Sequence, residues 1–154
     1  MPNGDSVKKC VLAAGLFVAA LSPCIATAAL GEPEVSVQAD GVELRGSVKV
    51  MARLSYRVHE IQLPSGNRVR EFAHQGTVFA VAWNGPTMPD LRHILGRYFD
   101  SYVSAAKANR AGHHHLQIHQ DDLVVIARGH MREFSGQAYL PQALPSGVNA
   151  GELQ

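Results

Sequence analysis

The sequence predicts an α+β fold, an antiparallel sheet of about five or six strands with one long amphipathic helix packed on it. Two observations carry this expectation. Hairpin-length runs of β-forming residues succeed one another from Tyr56 to Trp83 and again after His113, and a single helical periodicity, from Leu91 to Lys107, lies between them. The expected order is a short helix or strand, then β-β-β-α-β-β-β.

The chain opens with a segment that belongs to no fold. Lys8 and Lys9 precede an uncharged apolar run from Val11 to Leu21, Pro23 interrupts it, and Ala26-Thr27-Ala28 supplies a small-x-small processing pattern. Residues 1–28 therefore read as a secretory signal peptide cleaved after Ala28. An uncleaved anchor from Val11 to Leu30 has the length of a membrane-spanning helix, but Ser22, Pro23 and Thr27 weigh against it. The chain after Ala28 is expected to carry no transmembrane segment and to be periplasmic or extracellular.

Residues 29–35, with Gly31 and Pro33, read as a loose leader. From Ser36 to Lys49 two patterns compete: Val42, Leu44, Val48 and Val50 alternate as in a strand, whereas Ser36 as an N-cap suits a short helix ending at Gly46. The helix is preferred. Tyr56–Leu63, Arg68–His74 and Thr77–Trp83, separated by Pro64-Ser65-Gly66-Asn67 and Gln75-Gly76, form a three-stranded meander. The third run is apolar on both faces, as a central strand requires. Thr87 with Asp90 three residues on reads as a capping box, with Pro89 in the first turn. The helix that follows presents Leu91, Ile94, Leu95, Tyr98 and Tyr102 on one face and runs for about 20 residues, roughly 30 Å. Gly96 lies inside it, and Asn109 and Gly112 end it. His113–Gln120, Leu123–Arg128 and Phe134–Leu140 complete the strands, with a turn at Gly129-His130. The domain spans 36–141, and 142–154 is an extended tail.

Composition excludes several functions. Both cysteines, Cys10 and Cys24, fall inside the signal segment, so thiol chemistry and disulfides are absent from the remainder. Setting aside Lys8, Lys9 and Asp5 from the chain's 14 Lys plus Arg and 13 Asp plus Glu leaves twelve of each. A nucleic-acid or anionic-membrane surface needs an excess of basic residues that this balance lacks.

Two constellations have chemical potential. His113-His114-His115 with His119 offers imidazoles for Zn²⁺ or Cu²⁺, His113, His115 and His119 being the candidate ligands, with a third ligand to come from Asp121, Asp122 or His130. An exposed polar loop explains the same residues, so no cofactor is expected. The second is the first hairpin: if Pro64–Asn67 closes it, Glu60 stands opposite Glu71, a pair suited to general acid/base work or cation capture. A solvated pair damped by Arg57 and Arg70 is the plainer reading. Other motifs fail. His59-Glu60 has Leu63 where a zinc-protease motif needs its second histidine, there is no G-x-S-x-G, P-loop or dinucleotide fingerprint, and Ser135 with His130 makes no convincing triad.

Several blocks carry a family resemblance: Val58-His59-Glu60-Ile61-Gln62-Leu63-Pro64-Ser65-Gly66, Val69-Arg70-Glu71-Phe72, Val78 to Pro86 with Pro89-Asp90-Leu91, Gly129-His130-Met131-Arg132, and Phe134-Ser135-Gly136 with Ala138-Tyr139-Leu140-Pro141. In this order they resemble an exported bacterial family of uncharacterised proteins, domain of unknown function 2844. The resemblance implies export and a single domain, and no site. The expected function is a non-enzymatic binding or interaction domain of the cell envelope, whose partner is an envelope protein or a small ligand. A small hydrolase using Glu60 and Glu71, or a metal protein using the histidines, is the alternative.

Overall fold

A computed structural model describes residues 29–108 and 115–153. The fold is mainly β. The elements are α1 (Val37–Glu43), β1 (Ser47–Ala52), β2 (Arg57–Gln62), β3 (Arg68–His74), β4 (Thr77–Gly85), α2 (Leu91–Leu95), α3 (Phe99–Ala108), β5 (His115–His119), β6 (Val124–His130) and β7 (Glu133–Tyr139). All seven strands form one antiparallel sheet in the order β1-β2-β3-β4-β7-β6-β5. Two meanders, β1–β4 and β5–β7, meet where β7 pairs with β4, so the doubly apolar β4 is the central strand.

This corrects the expectation of five or six strands and one long helix. The additional strand comes from the ambiguous segment, which divides between both patterns. The segment is helical to Glu43, turns through Arg45 in the left-handed region and Gly46, and is extended from Ser47. The long helix is broken at Gly96, whose φ of 51° and ψ of −125° end α2 before a 3-10 turn leads into α3. The break has a tertiary cause. A Cβ at Gly96 would stand 2.4 Å from the Ala29 Cβ, and the Leu30 N–H donates to the Ile94 carbonyl at 3.1 Å. The N-terminal segment thus occupies the place a continuous helix would fill. Side-chain periodicity cannot register this, because it continues across the break.

The expected leader is docked. The Gly31 N–H donates to the Val78 carbonyl of β4 and the Val78 N–H to the Glu32 carbonyl, Pro33 bridges to Thr77, and Leu30 is fully buried. The cap of α2 is Asp90 itself, whose Oδ1 accepts from the Arg92 and His93 N–H groups; Thr87 bonds Asn67 instead. The β6–β7 turn lies at Met131-Arg132, two residues beyond the expected Gly129-His130, with His130 paired to Glu133.

The sheet separates two cores. Under the helices lie Leu30, Val37, Ile61, Val69, Val81, Trp83, Leu91, Ile94, Leu95 and Val125. On the other face Val58, Phe72, Phe79 and Ala80 are covered by the C-terminal segment through Leu144, Val148 and Leu153. Phe79 reaches this second core because a bulge pairs Phe72 with Ala80 and Ala73 with Val78, reversing the alternation beyond it. The tail is therefore a structural layer. Among the described residues no helix is long and apolar enough to cross a membrane.

Candidate functional site

The hairpin register decides which polar side chains meet. The Leu63 N–H donates to the Asn67 carbonyl, so five residues close the β2–β3 turn and Gln62 pairs with Arg68. One residue of slip relative to the expected register inverts the faces. Glu60 then stands opposite Arg70, and Glu71 opposite His59. Glu60 lies on the open face of the sheet, held by Arg70 at 3.0 Å and Arg68 at 3.7 Å. Glu71 points under the helices. The two carboxylates are on opposite faces, and no single substrate atom can lie between them.

On the helix side the register gathers a polar cluster, buried at Asp40, His59 and Glu71 and open to solvent at Arg57. The 3-10 turn at Glu34–Ser36 brings Glu34 to His59 Nε2 at 2.7 Å and to Arg57 Nε at 2.6 Å. The Arg57 hydrogen bond, opposed by burial and aided by His59, holds the Glu34 carboxyl below its ordinary range. Above Glu71, α1 lies close on β1, because Gly41 has no Cβ to strike the Val48 side chain. This places Asp40, fully buried, against His93 of α2, with Asp40 Oδ2 3.0 Å from His93 Nε2. Contact with Asp40 raises the His93 imidazole above its ordinary pKa despite partial burial. Glu71 is 1% exposed and its Oε2 has no hydrogen-bond partner among the described residues. Burial first, and the Asp40 charge second, push its carboxyl up to about 8. At neutral pH it is a protonated acid inside the fold.

The open face carries a groove. Across β3, β4, β7 and β6 one row of the sheet reads Arg70, Ala82, Gln137, Ile126, and the next row from β4 reads Asn84, Ser135, Arg128. Small side chains at the centre and long ones at the margins leave a cavity of about 210 Å³. Arg70 and Arg128 stand at its edges. Arg128 is exposed and has no acidic partner among the described residues, whereas Arg70 is tied to Glu60. Gln137 is 8% exposed and donates through Nε2 to the Ala150 carbonyl of the tail at 3.3 Å; its Oε1 is buried without a partner among the described residues. The arrangement offers guanidinium donors, a hydroxyl, an amide and one unused acceptor around an apolar floor.

Of the expected histidine cluster, His113 and His114 lie outside the described residues. His115 and His119 are at opposite ends of β5, exposed, and at the rise of a strand four residues span about 13 Å, too far for two imidazoles to share an ion. What the sequence reading missed are Asp40, His93, Arg128 and Gln137. The alternation of β6 and β7 was the available signal for the last two. No local pattern marks Asp40, since an aspartate in a short helix ordinarily faces water.

A family model described as a protein of unknown function (DUF2844) matches residues 26–153, nearly the whole chain. No curated protein and no solved structure matches it.

Proposed function

The chain belongs to the DUF2844 family of unknown function, and from this premise we propose that it is an exported, non-enzymatic binding domain whose open-face groove takes a small anionic ligand. The observation that carries the reading is Arg128, a cation without an acidic partner among the described residues, beside the unused Gln137 Oε1 in one cavity. A guanidinium favours a carboxylate or phosphate, which it can grip through two parallel hydrogen bonds, and a buried acceptor favours a ligand that also carries a hydroxyl or amide donor. The apolar floor of Ala82 and Ile126 suits a flat or short carbon skeleton. An enzymatic reading through Glu60 and Glu71 has lost its geometry.

Export is supported by Lys8, Lys9, the Val11–Leu21 run and Ala26-Thr27-Ala28, and the family match begins at residue 26, beside that processing pattern. Amino-terminal sequencing of the protein from fractionated cells is expected to begin at Ala29, in the envelope or medium. Full-length protein confined to the cytoplasm overturns this part. For the groove, the single tryptophan, Trp83, adjoins the cavity and reports binding by its emission. Titration with a panel of small hydroxycarboxylates and sugar phosphates is expected to give a saturable change with at least one compound, weakened about tenfold or more by Arg128→Ala. Saturable binding of neutral sugars alone, or binding indifferent to Arg128→Ala, defeats the anionic reading.

A further inference from the structure

We propose that Asp40, Glu43 and His93 form a binding site for one divalent transition-metal ion of the zinc type. The site lies on the helix side of the sheet, apart from the groove. Asp40 and Glu43 are three residues apart on α1 and so share one face. His93 comes to them from α2, held in place because Asp90 caps that helix. One ligand atom from each of the three lies within 4.8 Å of the others. Zinc bonds of about 2.0–2.1 Å at tetrahedral angles need ligand atoms about 3.3 Å apart. The 3.0 Å between Asp40 Oδ2 and His93 Nε2 therefore has only to open by a few tenths of an ångström, and Glu43, exposed, has to swing inward.

A second observation points to a cation. Beneath Asp40, Glu71 is enclosed with an Oε2 that no donor satisfies among the described residues, and its carboxyl lies close enough to Asp40 to feel that charge. Glu71 thus keeps a buried oxygen without a donor beside Asp40, and such an oxygen is costly unless a donor or positive charge is brought near. A divalent ion at Asp40 brings that charge. Glu43 gives the solvent side of the site, where water completes the coordination shell. One imidazole with two carboxylates suits zinc-type ions, whereas magnesium and calcium call for six or more oxygen ligands.

The test is calorimetric titration of zinc chloride into the full chain carrying His113→Ala, His114→Ala and His115→Ala, which removes the competing imidazoles. We expect one zinc per chain and no detectable magnesium binding. Glu43→Gln, an exposed change, is expected to weaken zinc by roughly tenfold or more, and His93→Asn to abolish it, with unchanged circular dichroism in both. Zinc affinity unaltered by Glu43→Gln and His93→Asn, or no binding at micromolar zinc, overturns the site. Neither result touches the groove, since Arg128→Ala is expected to leave zinc binding as it was.

Discussion

Glu71 shows how one side chain sets a pH dependence for the molecule. Its carboxyl is raised from 4.5 to about 8 by burial and by Asp40, so between those values the folded chain holds a proton that the unfolded chain has lost. Its contribution to stability is then complete below about pH 4.5 and is lost as the pH rises through 8. Glu71→Gln keeps the shape and removes the titration. Chemical denaturation with a chelator present is expected to show the variant more stable at pH 7 by about 3 kcal/mol, on the basis of about 1.4 kcal/mol per pKa unit, with the difference shrinking toward pH 4.5. A parallel pH dependence in the two proteins contradicts it. That Glu71 is buried was not legible in the sequence. The alternation of Val69, Glu71 and Ala73 with Arg70 and Phe72 puts a charge on each face, and only the five-residue turn selects which charge goes inside.

At the scale of elements, the interrupted helix teaches the same lesson from packing. The apolar spacing from Leu91 to Tyr102 was readable and correct in existence, since Leu91, Ile94 and Leu95 are buried and Tyr98, Phe99 and Tyr102 pack on the same core. Its continuity was not readable, because the cause, Ala29 lying against Gly96, is remote in sequence. Gly96→Ala combines a side chain at φ 51° with a 2.4 Å contact and is expected to destabilise the fold by about 1–3 kcal/mol, seen as a lower thermal midpoint. Were the segment indifferent to Ala29, the alanine would instead stabilise a continuous helix and raise the midpoint. The strands were more legible than the helix. Their existence follows from short β-forming runs and turn residues, and six of the seven were marked out by those signals.

Across the whole molecule, the sheet needs cover on both faces, and two segments that looked like ends supply it. The helices and the 29–36 segment close one core, and the residues after Pro141 close the other, with Leu153 fully buried beside Phe72 and Phe79. Removal of residues 144–153 is expected to cost about 4 kcal/mol and to bind a hydrophobic dye at the uncovered Val58, Phe72 and Ala80, whereas a mere tail would leave the midpoint and the dye signal unchanged. The same layer holds Gln137 of the groove through the Ala150 carbonyl, so the truncation also tests whether ligand binding depends on that contact. The sequence by itself determined the neutral, cysteine-free composition downstream of residue 28, the β-rich meanders and the family, because these follow from residue type and short-range spacing. The tertiary structure alone decided the hairpin register, the break at Gly96, and the joining of Asp40 to His93 and of Arg128 to Gln137. The break and the joining of Asp40 to His93 depend on which distant segments exclude one another from the same space, which no local pattern encodes, whereas the register and the meeting of Arg128 with Gln137 rest on how each hairpin closes.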